Sequence, residues 1–170
     1  GGKARAGTVW LDAVQLRRVL GALQRGFDDE AALLHARVQQ GHVVEGHGDL
    51  RPEHVFLTDP PVIIDALEFN RSLRLVDWVD EIAFLTLECT VLGAPEVGLS
   101  LRAQLEQELQ DAVPDRLFHF YVAFRACVRA RLALAHLLEA EVRTPEKWMQ
   151  AGHRYLELAD VAVSQLRRGE

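Results

Sequence analysis

The chain has 170 residues, 49% of them hydrophobic and 26% charged, which excludes a disordered protein and allows one domain with a sizeable core. Its net charge is −6, from 19 Lys and Arg against 25 Asp and Glu, so we expect no nucleic-acid partner, because phosphate contacts need basic side chains. No apolar run is long enough for a membrane span, and the two cysteines lie in apolar helical patterns that suit reduced thiols in the cytoplasm.

The organisation of the chain is simple. It begins with Gly1 rather than Met, and we interpret it as a fragment or a processed product of a longer protein. Residues 1–8 are small and basic, which predicts a tail or linker, and residues 9–170 are predicted to form one domain. No pattern in the sequence predicts the oligomeric state.

Two helices are predicted in the first part of the domain. Apolar residues at helical spacing predict a helix from Trp10 to Arg25 that Gly26 closes. Asp28 or Asp29 is a candidate cap for a second helix, which Gly41 would stop.

A small β-hairpin is predicted next. The short apolar runs Val55–Leu57 and Val62–Ile64 flank a turn rich in proline and aspartate. Together with the polar residues before it, this hairpin forms segment 45–69, where we expect the chemistry because functional side chains concentrate on loops.

Only helices are predicted after the hairpin. Their expected ranges are Asp77–Val91, Leu99–Gln110, Pro114 to about Glu141, and a last helix that Thr144 caps and that runs to about Arg167. The predicted fold class is therefore mainly α with one small β-hairpin.

Two carboxylates stand at the edges of short apolar runs in segment 45–69. Asp49 follows His47–Gly48, and Asp65 follows the second strand of the hairpin. Phosphoryl transfer needs such a pair, because one carboxylate accepts the proton of the attacking hydroxyl and the other holds a metal against the nucleotide phosphates. Alternatively, both are turn acceptors without chemistry.

The stretch His47–Leu50 and the stretch Ile64–Asn70 resemble the catalytic loop and metal-binding strand of the aminoglycoside phosphotransferases, a family with a protein-kinase-like fold. A bacterial branch of that superfamily has the sequence motif Ile-Asp-x-x-Glu-Phe-Asn at this strand, which Ile64–Asn70 matches. Further motifs of that branch are matched, in order, by Arg74–Asp77, Glu81–Leu85 and Phe124–Ala130. The resemblance covers roughly residues 45–131 and implies the C-terminal, substrate-side lobe of such a kinase.

The resemblance implies a role for each residue of the loop. Asp49 would be the catalytic base, and Asp65 the principal Mg²⁺ ligand and a cofactor-binding residue for ATP. His47 would brace the loop through hydrogen bonds, and Arg51 would approach the transferring phosphate. His54 stands where the family has a metal-binding Asn, so it would be a cofactor and metal residue, although Mg²⁺ prefers oxygen ligands; alternatively it is a surface or loop residue.

The acid Glu68 is either a second acidic metal ligand or an acceptor at a helix cap.

The resemblance also implies a part that the sequence lacks, because a kinase of this fold needs an N-terminal nucleotide lobe with a Gly-rich loop and a strand Lys. The chain's two lysines, Lys3 and Lys147, follow no strand pattern. The missing nucleotide lobe is therefore an expected partner, along with a small-molecule substrate.

Two acids and two arginines in the later helices predict internal ion pairs. Asp77 and Glu81 share one helix face, and Arg125 and Arg129 share another. A buried arginine needs a carboxylate partner, so we expect these acids to pair with these arginines. A substrate-binding role for either arginine is the alternative.

Three functions follow as hypotheses. The first is ATP-dependent phosphoryl transfer to a small-molecule hydroxyl, completed by a nucleotide lobe. The second is a pseudokinase that acts as a binding or regulatory module. The third is a metal-dependent phosphoesterase that uses His47, Asp49 and His54.

Overall fold

The computed structural model describes residues 12–139 and 141–166, so the predicted tail 1–8 and the start of the first predicted helix lie outside the described residues. The fold is mainly helical, as predicted, with two small antiparallel sheets. The helices are α1 (Ala13–Gln39), α2 (Trp78–Val91), α3 (Pro95–Glu108), α4 (Asp115–Ala135) and α5 (Pro145–Leu166). The strands are β1 (Val43–Glu45), β2 (Val55–Phe56), β3 (Val62–Ile63) and β4 (Leu75–Asp77).

The first helix corrects the sequence prediction. Instead of two helices separated at Gly26, α1 is continuous over 27 residues. Gly26 is buried, and a Cβ there would lie 3.2 Å from Phe120 and 3.3 Å from Leu166. The small residue therefore lets α1 pack closely on α4 and α5, and this packing outweighs the roughly 1 kcal/mol that glycine costs inside a helix.

Both ends of α1 have clear causes. The Asp12 carboxylate accepts a hydrogen bond from the Val14 amide at 2.8 Å, which caps the start. The predicted stop at Gly41 is confirmed, since the helix ends at Gln39 and Gly41 takes a φ of +82°, which favours glycine.

The core lies where α2, α4 and α5 pack together with α1. Helix α2 is buried over most of its length, which explains why its sequence is apolar nearly all round. A close approach holds α3 against α2, because a Cβ on Gly98 would lie only 2.6 Å from the Thr86 Cα. No helix in the described part of the chain is long and apolar enough to cross a bilayer.

The two sheets position the polar segment. The predicted hairpin is confirmed by the antiparallel pair β2–β3, in which Val55 lies opposite Ile63. The pair β1–β4, in which Val43 lies opposite Asp77, was not predicted. Its two strands have three residues each and lie far apart in sequence, so no local turn pattern reveals their pairing.

The helix boundaries after the hairpin differ modestly from prediction. Helix α2 starts one residue after Asp77, which caps it through the Val79 amide at 3.0 Å. Helix α3 starts earlier than predicted because Pro95 suits a first helical turn. Helix α4 ends at Ala135 and passes into a 3-10 turn, so it is shorter than predicted, and α5 begins at Pro145 as expected.

The arginines of α4 pair with carboxylates, as predicted, but with different ones. Arg125 forms two hydrogen bonds of 2.7 Å with Asp80, and its guanidinium also lies over the Phe84 ring. Arg129 binds Glu88 at 3.0 Å. Because α2 is buried on most sides, it carries several inward-facing acids, and helical spacing alone could not select the right ones.

The two acids that were predicted as partners have other roles. Asp77 binds Arg37 of α1, which also binds Asp111 at 2.8 Å between Nη2 and Oδ2. Glu81 accepts a hydrogen bond from the Gly48 amide, in the polar segment itself. The prediction that these two acids pair with the α4 arginines is therefore wrong.

Candidate functional site

The polar segment passes from β1 to β2 through a peptide that is held on both sides. The Gly48 N–H donates to Glu81 Oε1 at 2.6 Å, and the Gly48 carbonyl accepts from Arg125 Nη1 at 3.1 Å. Gly48 has a φ of +82°, and a Cβ there would lie 2.8 Å from the Leu73 carbonyl oxygen. Only glycine fits such a position.

The imidazole of His47 links this loop to the end of the hairpin. Its Nε2 lies 2.7 Å from the Ile64 carbonyl oxygen, and its Nδ1 accepts from the Asp49 amide at 3.3 Å. A carbonyl can only accept and an amide can only donate, so the neutral ring with its proton on Nε2 satisfies both contacts. The predicted bracing hydrogen bonds of His47 are confirmed.

The Asp49 carboxylate lies at the surface of the loop, with 29% of its side chain exposed. Arg51 Nε donates to Asp49 Oδ2 at 3.1 Å, and Arg51 Nη1 lies 2.7 Å from Glu53 Oε1. The guanidinium therefore divides its charge between two carboxylates. One Asp49 oxygen stays without a bond to Arg51, so the carboxylate can still approach a hydroxyl.

The ring of His54 is buried, so the alternative of a surface residue is wrong, although the residue does lie in the short turn before β2. Its Nδ1 lies 2.9 Å from the Asp49 carbonyl oxygen, and its Nε2 lies 3.1 Å from Arg51 Nη2 and 3.5 Å from Asp65 Oδ2. The ring also stacks on His47 with 5.3 Å between centroids. A ring with its proton on Nδ1 fits the Asp49 carbonyl, which accepts, and Arg51, which only donates.

Asp65 lies at the end of the hairpin with 75% of its side chain exposed. Its φ of +64° is unusual for a residue other than glycine and turns the chain sharply after β3. Glu68 is also exposed, in the extended segment that follows. Both carboxylates are therefore accessible to a ligand.

No preformed metal cluster is present in residues 12–139 and 141–166, since no three or more His, Cys, Asp or Glu side chains lie close enough together to hold an ion. The set Asp65, His54 and Glu68 is therefore not assembled as a three-ligand site. The same holds for His47, Asp49 and His54, the set on which the phosphoesterase hypothesis depends.

Two buried acids of α2 lie behind the loop and were not predicted as part of the site. Burial raises the pKa of Glu81, and the Gly48 amide and Arg125 oppose that shift. Burial likewise raises the pKa of Asp80, against the opposing effect of Arg125. Within the described residues, Glu81 Oε2 has no hydrogen-bond partner. The sequence signal that could have identified Glu81 is an acid among apolar residues, near the start of the predicted helix.

The hairpin beside the loop exposes an unusual amount of apolar surface. Large contiguous apolar patches are rare on monomeric soluble proteins, so these exposed side chains make the hairpin a candidate interaction surface. The residues of this hairpin surface, with 45% to 91% of their area exposed, are Phe56, Leu57, Val62, Ile63, Ile64 and Phe69.

Three mycobacterial proteins are similar to this chain, one from Mycobacterium bovis and two from strains of Mycobacterium tuberculosis, and all three are described as uncharacterized. Each is 34% identical over 118 residues, which cover 69% of this chain and 24% of the relative. The chain thus spans about a quarter of the length of these curated relatives. No protein-family model and no solved structure matches the chain.

Proposed function

We propose that the chain is the substrate-side lobe of a small-molecule phosphotransferase, which transfers the γ-phosphoryl group of ATP to a hydroxyl. The proposal starts from the resemblance of segment 45–69 to the aminoglycoside phosphotransferases, which have a protein-kinase-like fold. It depends on Asp49 and Asp65 acting at one site.

One observation carries the proposal. The buried ring of His54 contacts the Asp49 backbone through Nδ1, and its Nε2 lies 3.5 Å from the Asp65 carboxylate. The Asp49 backbone and the Asp65 carboxylate therefore contact the same imidazole, although sixteen positions separate the two acids in sequence. This proximity supports a division of labour between a base and a metal ligand.

In the proposed reaction, the Asp49 carboxylate orients the substrate hydroxyl and accepts its proton. The hydroxyl oxygen forms a bond to the γ-phosphorus while the bond from that phosphorus to the β–γ bridging oxygen breaks, and ADP leaves with the electron pair. His47 and the Gly48 peptide hold Asp49 in place during this step. Arg51, between Asp49 and Glu53, can neutralise charge at the entering phosphate.

The donor set suits Mg²⁺ at Asp65 and does not suit it at His54. Mg²⁺ prefers oxygen and commonly takes only one or two carboxylates together with substrate phosphates and water. Asp65 is an exposed carboxylate, and Glu68 is a second one nearby in sequence. Both nitrogens of His54 already have hydrogen-bond partners. When bound, Mg²⁺ would supply charge neutralisation for the nucleotide phosphates.

The nucleotide lobe is part of the proposal. The hairpin surface is apolar and borders the candidate site, which supports a second lobe covering it. The greater length of the mycobacterial relatives leaves room for such a lobe in proteins of this kind. We place the reaction in the cytoplasm, where ATP is available and where the thiols of Cys89 and Cys127 stay reduced.

Calorimetric titration of the full-length protein with ATP and Mg²⁺ tests the proposal. We expect Mg²⁺-dependent binding that Asp65→Ala abolishes. Asp59→Ala, an exposed acid in the hairpin turn, is the matched control and should bind normally. Asp49→Asn should retain binding but lose phosphoryl transfer. Absence of binding, or binding that Asp65→Ala leaves unchanged, rejects the kinase assignment.

A pseudokinase is the second candidate, and the state of His54 favours it. The buried imidazole replaces the oxygen ligand of the family and has no free nitrogen, which leaves the metal side of the site to carboxylates alone. This reading predicts nucleotide binding without turnover, and Asp49→Asn would then change nothing measurable.

A further inference from the structure

We infer that Glu81 and Arg125 are positioning residues that together fix the Gly48 peptide, and through it Asp49. The inference rests on the proposed function, because it concerns the same loop. It assigns a functional reason to two charged residues of α2 and α4, one buried and one largely covered, that lie outside the loop.

The contacts act on a single residue from opposite sides. Glu81 of α2 accepts from the Gly48 N–H at 2.6 Å, and Arg125 of α4 donates to the Gly48 carbonyl at 3.1 Å. Hydrogen bonds to ionised groups are stronger than neutral ones, especially where burial excludes water. With both its N–H and its C=O fixed, Gly48 cannot rotate without breaking a charge-assisted bond.

The two hydrogen bonds of Gly48, with Glu81 and with Arg125, form a clamp. They also affect the functional residues on either side of Gly48. His47 precedes Gly48 and Asp49 follows it, so the orientation of the Gly48 peptides sets the direction of both side chains. Glycine at position 48, with its φ of +82°, has more backbone conformations open to it than any other residue, so contacts from outside the loop are needed to fix one of them. The clamp therefore provides the preorganisation that a general base requires.

The guanidinium of Arg125 is itself held in place. Asp80 binds Nε and Nη2 at 2.7 Å each, which leaves Nη1 directed at the Gly48 carbonyl. Arg129 lies one turn further along the same helix and pairs with Glu88 and Tyr155. Both arginines thus join α2 to α4, Arg125 through two bonds to Asp80 and Arg129 through one to Glu88, but of the two only Arg125 also bonds to the loop.

This difference supplies a matched experiment on the full-length protein. Arg125→Lys and Arg129→Lys should both destabilise the fold, since each weakens an ion pair between α2 and α4. Only Arg125→Lys should lower kcat for Mg²⁺-ATP hydrolysis, by roughly a hundredfold, because a displaced base loses its alignment. The KM for ATP should stay unchanged, since the proposed function places the nucleotide at Asp65 and not at the Gly48 peptide.

Two substitutions of Glu81 test the other side of the clamp, one that keeps the hydrogen-bond acceptor and one that removes it. Glu81→Gln keeps a carbonyl oxygen for the Gly48 amide and should retain most of kcat, whereas Glu81→Leu should lose it as Arg125→Lys does. The proton resonance of the Gly48 amide should move upfield in Glu81→Leu and stay near its position in Arg129→Lys. This resonance reports the clamp without any reference to catalysis.

The outcomes separate the two proposals. If the protein neither binds nor hydrolyses Mg²⁺-ATP, the phosphotransferase fails while the Gly48 resonance still decides whether the clamp exists. If Arg125→Lys and Arg129→Lys lower kcat equally, or if Glu81→Leu leaves both kcat and the resonance unchanged, the positioning role is overturned.

Discussion

Arg37, near the end of α1, binds Asp77, the residue that caps α2, with 2.9 Å between Nη2 and Oδ1. Its guanidinium also binds Asp111 and is 3% exposed. One buried cation therefore joins the end of the first helix, the start of the second and the loop before α4.

Removing this cation should be costly. Arg37→Met leaves two carboxylates without their partner in a buried site, so we expect the free energy of unfolding to fall by about 3–5 kcal/mol. Urea denaturation measures the change. Arg18→Met is the control, because Arg18 pairs with Asp160 while half exposed and should cost less than about 1 kcal/mol. Equal losses would contradict the structural role of Arg37.

The contact between α2 and α3 predicts an asymmetry between two glycines. Gly98→Ala places a Cβ 2.6 Å from the backbone Cα of Thr86, so the helices must separate, at a cost of about 1–3 kcal/mol. Gly21→Ala meets only the flexible end of Arg25 at 3.5 Å and should stabilise α1 by up to about 1 kcal/mol. Melting temperatures of the two variants should shift in opposite directions, and shifts of the same sign would refute the close approach.

Glu81 should make stability depend on pH. Burial raises its pKa in the folded state, so above the ordinary value of about 4.3 the folded protein holds this proton more tightly than the unfolded chain does. Stability is therefore lost as pH rises from about 4 through the folded pKa and levels off above it. Glu81→Gln removes this titrating group. The free energy of unfolding of the variant should therefore fall less between pH 4 and 7 than that of the wild-type protein.

Urea titrations at several pH values measure the effect. Glu108→Gln, an exposed acid on α3, is the control and should follow the wild-type curve. A Glu81→Gln curve parallel to wild type throughout would show that the buried carboxylate does not titrate differently on folding.

His54→Asn should strengthen Mg²⁺-dependent ATP binding in the full-length protein. The amide offers an oxygen, which Mg²⁺ prefers, so we expect tighter binding on the order of tenfold. The cost is roughly 1–3 kcal/mol of stability, because Arg51 and the Asp49 carbonyl lose buried partners. Calorimetry with Mg²⁺ and with EDTA separates metal-dependent binding from the rest.

His153→Asn, on α5 and distant from the loop in sequence, controls for a general effect of the substitution. Weaker ATP binding by His54→Asn would contradict this prediction. It would mean that the hydrogen bonds of the imidazole to Asp49 and Arg51 favour ATP binding more than an added oxygen ligand for Mg²⁺ does.

Local patterns predicted much of this fold correctly. The turn between β2 and β3 and the positive φ of Gly41 follow from residue types within a few positions. Gly26 was misjudged because its fit against Phe120 is a long-range contact, and local propensity reads the same glycine as a stop. Tertiary packing overrides such weak preferences.

The candidate site was predictable to a similar degree. Sequence named His47 and Asp49, and the bracing role of His47 agrees with its contacts. It could not reveal that His54 is buried with both nitrogens engaged, nor that Glu81 faces the loop. The orientation of Glu81 toward the loop depends on a distant contact, which helical spacing leaves open among several buried acids. The contacts of His54 are local, but they depend on how the loop folds back on itself, which residue types alone do not specify.

The length of α1 has a consequence for the protein while it is being made. Its apolar residues Val19 and Ala22 are covered in a cluster with Leu156 and Ala159, and Arg18 pairs with a residue 142 positions later. At roughly 5–20 residues per second of synthesis, that partner follows after about 7–28 s. During this time α1 is without the surface it packs on, which makes it a segment that chaperones would protect.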